Sequence, residues 1–121
     1  MFRILIFAFL QFVFAHNDLL AGNIVSQNTD ADGVEVVAFI DYEYAMPAPA
    51  AFDIASHFAE WAGFECDYNL LPTRSIRKEF LREYLRSYDT QLGRHVDEDV
   101  ERLQRLCEEV DSFRAIPSFF W

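Results

Sequence analysis

The chain has 121 residues, 52% of them hydrophobic and 25% charged, a balance that implies one folded domain or a piece of one and excludes a disordered chain. Twenty acidic against ten basic residues leave a net charge of −10, which excludes nonspecific nucleic-acid binding, since that needs a basic face to neutralise phosphate. Thirteen phenylalanines supply more aromatic surface than so small a domain readily buries.

In chain order, the first element is the apolar run that ends at Ala15. Its apolar part, Ile4 to Ala15, is 12 residues, well short of the roughly 20 that cross a bilayer, so no stable membrane insertion is expected. Rich in Phe, Ile and Val, residues 1–15 read as a lead-in strand buried on both faces. Arg3 followed by an apolar stretch ending in Val13-Phe14-Ala15 also fits a short secretory signal cleaved after Ala15. A third reading makes the first residues an artefact of gene prediction. The strand is preferred, because cleavage would strip His16-Asn17-Asp18 of its support.

Ile24 and Val25 begin a second strand, Gln27 to Gly33 form a polar turn with the reversal signal Asp32-Gly33, and Val34 to Ile40 return as a β-branched strand. This hairpin is bracketed by His16-Asn17-Asp18 before it and Asp41-Tyr42-Glu43 after it. Pro47 and Pro49 are expected to prevent regular structure through residues 46–51. Asp53 is placed as the cap of a helix to about Ala62, with Ile54, Phe58 and Trp61 on one face and Gly63 ending it. A second helix begins at Thr73 with the stripe Ile76, Phe80, Leu81, Tyr84, Leu85 and Tyr88. A third begins near Asp97, carries Glu98, Asp99 and Glu101 in its first turn, and buries Val100, Leu103, Cys107 and Val110. A hairpin followed by helices is an α+β arrangement. Cys66 and Cys107 lack the spacing of a disulfide framework or a zinc site and suit a reducing, cytoplasmic setting.

The chemistry sits in residues 16–23, His-Asn-Asp-Leu-Leu-Ala-Gly-Asn. Asp18 and Asn23 have the aspartate-to-asparagine spacing of a kinase catalytic loop. Phosphoryl transfer needs a carboxylate to receive the proton of the attacking hydroxyl and oxygen ligands for magnesium, and the hairpin delivers a second carboxylate, Asp41, beside that loop. Each of these residues alone also fits a turn or a strand end; the combination is what points to a kinase.

The second motif reads Ile-Asp-Tyr-Glu-Tyr rather than Asp-Phe-Gly, which points toward small-molecule kinases. With HNDLLAGNI (16–24), FIDYEYA (39–45), FDIASHFAEWAG (52–63) and, more weakly, DSFRAIPSFFW (111–121), the chain resembles the choline/ethanolamine kinase family over about residues 13–121. IDYEYA, EWAGF and DYNLLPTR lean toward its ethanolamine kinases. The resemblance implies a protein-kinase-like C-lobe fragment over residues 16–121, with a catalytic-loop hairpin followed by helices. Asp18 is similar to the catalytic aspartate, and Asn23 and Asp41 to the magnesium ligands. Glu43 would support the metal or the loop, His16 would brace the loop, and Asp53 would tie down its backbone. Glu60 and Trp121 are similar to residues that face the cationic nitrogen of the substrate. ATP and Mg2+ are the implied cofactors, ethanolamine or choline the implied substrate, and a homodimer a possible assembly.

A glycine loop over the phosphates and a strand lysine pairing with them do not precede His16, and Lys78, the single lysine, falls on the second helix. The sequence is therefore expected to be the middle of a C-lobe, weakly active or inactive alone. Choline kinase and a non-catalytic truncated binding or regulatory module are the alternatives, and a small secreted protein is a third.

Overall fold

The structure is a computed structural model and describes residues 11–96 and 99–116. Strands β1 (Phe12–Ala15), β2 (Ile24–Thr29), β3 (Glu35–Phe39) and β4 (Met46–Pro49) precede helices α1 (Ala50–Glu60), α2 (Arg74–Gln91) and α3 (Val100–Phe113). Two separate antiparallel pairs form, β1 with β4 and β2 with β3. The α+β class expected from the sequence is the one observed.

The lead-in strand is not buried on both faces. Phe12 and Phe14 are 65% and 71% exposed, Val13 is half-buried and Ala15 is buried. The cause is one-sided packing: among the described residues β1 pairs with β4 alone, and its buried side is the one carrying Val13 and Ala15. Residues 1–10 lie outside the described residues.

Pro47 and Pro49 do not break structure either; both lie in β4. They stand opposite Phe14 and Phe12, while Ala50 N–H donates to the Gln11 carbonyl at 2.8 Å. The pairs that exchange hydrogen bonds are thus the alternate ones, and the prolines occupy places where no donor is asked of them. The strand then passes directly into α1, so Asp53 is not its cap. Pro49 holds the cap position without a side-chain bond, and Asp53 lies inside the first turn.

The polar turn is shorter than its composition suggests. β2 continues to Thr29, and Asp30 Oδ1 accepts N–H bonds from Asp32 and Val34 to close the reversal. Gly33 sits there at φ +81°, a value that glycine tolerates at little cost.

Thr73 caps α2, its hydroxyl accepting from Ile76 N–H at 3.4 Å, and Asp99 caps α3 by accepting from Arg102 N–H at 2.9 Å. The third helix therefore starts at Val100, and of the expected acidic first turn only Glu101 lies within it. Residues 97 and 98 lie outside the described residues.

α3 packs against both α1 and α2. The core joins Ala51, Ile54, Ala55 and Phe58 of α1 to Leu81 of α2 and to Leu103 and Val110 of α3, with Tyr84, Leu85, Leu106, Cys107 and Phe113 against it. Val100, expected inside, is exposed, because it opens the first turn beyond the reach of α1. Within α2, Ile76 and Phe80 are also largely exposed, while the charged Arg77 and Asp89 are buried. Arg77 donates to the Pro72 carbonyl at 2.8 Å and to Asp111 at 3.1 Å, and Arg102 reaches Asp89 at 2.6 Å. These bonds tie α2 to the chain before it and to α3.

Candidate functional site

The loop between β1 and β2 holds His16, Asn17, Asp18 and Asn23, and it rests on the N-terminal half of α1. Asp53 Oδ2 accepts the His16 N–H at 2.9 Å and Oδ1 accepts the Asn17 N–H at 2.8 Å. A helix residue whose carboxylate takes two consecutive amides fixes the chain entering Asp18, and charge-assisted bonds of this kind are the strong ones. Asn17 then turns the backbone at φ 62°, a conformation that asparagine accepts more readily than most residues. Its amide donates to the Tyr44 carbonyl at 3.0 Å.

His16 is buried and braces two segments. Its Nε2–H donates to the Ile40 carbonyl at 2.8 Å, while Nδ1 accepts the Asp18 N–H at 3.3 Å. A carbonyl can only accept and an amide can only donate, so the ring is neutral with its proton on Nε2. Tyr42 lies over it with ring centroids 4.6 Å apart. The loop before β2 and the segment after β3 are thereby held together at one imidazole.

Asn23 is buried and turns its amide nitrogen to Asp18, at 2.8 Å from the backbone oxygen and 3.2 Å from Oδ2. Its own carbonyl accepts the Ile40 N–H at 3.0 Å, so Asn23 and Asp41 lie at the same end of the hairpin. Asp41 takes φ 64° at the end of β3 and is exposed. Glu43 is exposed as well, and among the described residues neither it nor Asp41 makes a hydrogen bond or ion pair. No cluster of three His, Cys, Asp or Glu side chains with metal-holding geometry occurs among the described residues. The oxygen donors available here are the Asn23 amide and the Asp41 carboxylate.

Glu60, at the last turn of α1, has its carboxyl pushed above the ordinary value of 4.5, first by burial and then by the negative charge of Asp18, with His57 acting the other way. The negative charge of Asp18 is thus felt at the Glu60 carboxyl. The structure thus brings Asp18, Asn23, His16 and Asp53 into one bonded network, sets Asp41 beside it and Glu60 within its field, and leaves Glu43 outside it. Trp121 lies outside the described residues.

Asn17 and His57 were not given a part by the sequence. For Asn17 the positive φ is a signal that a turn after an apolar strand could have raised. A lone histidine inside a helix has no such signature.

A choline/ethanolamine kinase family model matches residues 8–121. A probable ethanolamine kinase of Nematostella vectensis is 43% identical over 111 residues, covering 90% of this chain and 31% of that protein. Ethanolamine kinase 1 of Mus musculus is 38% identical over 110 residues, covering 90% of this chain and 29% of the mouse protein. Among solved structures, a Plasmodium vivax ethanolamine kinase superimposes with a TM-score of 0.67 at 36% identity, covering 85% of this chain and 24% of the other. A choline kinase from Cryptosporidium parvum gives 0.70 at 27% identity, covering 91% and 31%. The chain spans about a third or less of the length of these relatives. Loop, hairpin and first helix all lie within the matched region, and the chain belongs to the choline/ethanolamine kinase family.

Proposed function

We propose that these residues are the hydroxyl-activating and metal-facing part of an ATP-dependent ethanolamine kinase. The observation that carries the reading is the bonding around Asp18: Asp53 fixes the backbone before it, and Asn23 holds its Oδ2. The other carboxylate oxygen is left to accept the substrate hydroxyl. As the hydroxyl oxygen forms its bond to the γ-phosphorus of ATP and ADP departs, the hydroxyl proton passes to Asp18. Glu60, partly buried at the last turn of α1, is the carboxylate offered to the ammonium end of the substrate, the role that the family resemblance implies.

Asn23 and Asp41 fit a magnesium ion. The Asn23 nitrogen is engaged with Asp18, which leaves its oxygen for a cation, and the Asp41 carboxylate is exposed without a partner among the described residues. Magnesium favours one or two such oxygens beside water and phosphate; when bound, it neutralises charge on the transferring phosphates.

The 121 residues contain one lysine, and Lys78 lines the α2–α3 groove with Cys107, so no lysine here clamps the phosphates. The chain alone is accordingly a weak or inactive enzyme. The test replaces the matching segment of the Nematostella vectensis relative with this chain and measures ATP consumption with ethanolamine and with choline. Turnover with ethanolamine is expected, reduced about 10²- to 10⁴-fold by Asp18→Asn. Full activity of that variant would overturn the assignment, and a preference for choline would overturn the substrate.

A further inference from the structure

We infer that His57 is a positioning residue that holds the chain on the far side of Asp18, completing what Asp53 does on the near side; the inference rests on the kinase reading of the loop only for its purpose. The two residues stand one helical turn apart on α1 and so share a face. Asp53 takes the amides of His16 and Asn17, and His57 Nδ1 lies 2.7 Å from the carbonyl oxygen of Leu19. Asp18 is therefore bracketed by one helix through the residues on either side of it.

The partners of His57 fix its protonation pattern. The Leu19 carbonyl can only accept, so Nδ1 carries the proton. The indole Nε1–H of Trp61, which can only donate, points at Nε2 at 3.3 Å, so that nitrogen offers its lone pair. This is the opposite tautomer to that of His16. Trp61, Phe58 and Phe80 surround the ring at centroid distances of 6.1, 6.1 and 5.7 Å. They set the angle at which the imidazole meets the loop. Phe80 belongs to α2, so the ring joins the helical core to the loop through one hydrogen bond.

A purely packing role and a positioning role separate on the choice of substitution. An asparagine amide nitrogen can occupy the place of Nδ1 and donate to Leu19. Phenylalanine keeps the ring packing without a donor, and glutamine carries its donor one bond too far. The experiment uses the full 121-residue chain labelled with 15N, comparing His57→Asn, His57→Gln and His57→Phe. The first readout is hydrogen exchange at the amides of Leu20 and Asn23, which bond to Asp18 and Leu20 carbonyls inside the loop. The reference is exchange at Leu81 and Val110 in the core.

His57→Phe and His57→Gln are expected to speed exchange at Leu20 and Asn23 about tenfold or more with the core amides unchanged, while His57→Asn stays close to the parent. The 15N signals of the parent ring are expected to place the proton on Nδ1. Equal acceleration in loop and core, equal behaviour of the Asn and Phe variants, or a proton on Nε2 would overturn the inference. If His57→Phe fails to fold, the Asn and Gln variants decide. None of these readouts needs turnover, so a chimera that does not phosphorylate ethanolamine defeats the kinase reading while leaving this one standing.

Discussion

Asp53 shows how one carboxylate can matter to a loop more than to the helix that carries it. In the sequence it has the look of a helix start, because an aspartate ahead of an apolar periodic stretch is the ordinary N-cap signal. Its actual partners are amides 36 and 37 positions earlier, a contact that no local pattern reports and that only the family resemblance implied. Asp18, Asn23 and Asp41 stand out as candidates for the converse reason: their spacing is short and one hairpin joins them, and the structure sets all three at the same end of it. Glu60 makes the field of the site measurable. Its carboxyl titrates above the ordinary 4.5 through burial and then through Asp18. A 13C titration of its carboxyl should therefore give a raised midpoint that moves down in Asp18→Asn, since removing a like charge eases ionisation. An ammonium ligand needs the carboxylate, so its affinity should fall as pH drops through that raised midpoint, earlier than beside an unperturbed glutamate. An unmoved midpoint in Asp18→Asn would refute the coupling.

At the scale of elements, hydrophobic periodicity located all three helices and most of their buried faces, Ile54, Phe58, Leu81, Leu103 and Val110 among them, but not every residue they bury. Val100 matches the apolar face of α3 yet is exposed, while Arg77 and Asp89 lie within the α2–α3 contact. Periodicity counts apolar side chains and is blind to ions that bury in pairs. The Asp89–Arg102 pair is lopsided: the aspartate side chain is 7% exposed and the arginine 30%, and Asp89 Oδ1 has no partner among the described residues. Arg102→Met should thus leave a buried, uncompensated charge and cost about 3 kcal/mol in urea unfolding, more than Asp89→Asn costs. The double change Asp89→Leu with Arg102→Met should recover most of that loss, because two apolar side chains can replace a buried pair at little cost. A double variant as unstable as Arg102→Met would contradict this account.

At the scale of the whole molecule, part of the aromatic excess noted in the composition is borne on the surface of the described residues. Phe12 and Phe14 of β1 project from one face, and Val37, Phe39, Ile40, Tyr42, Tyr44 and Phe64 are also exposed. Exposed apolar side chains such as these offer surface for contact with other protein. In sedimentation velocity the 121-residue chain should gain mass with concentration, and the Phe12→Ser, Phe14→Ser double variant should gain much less. Identical behaviour of the two would show that β1 is not the adhesive face. How molecules can approach is limited by β4. The amides of that strand directed away from β1 belong to Pro47 and Pro49, so its outer margin presents carbonyls with no donors between them. An extra strand arriving there would meet only half a ladder. The sheet therefore cannot lengthen into a fibre past β4.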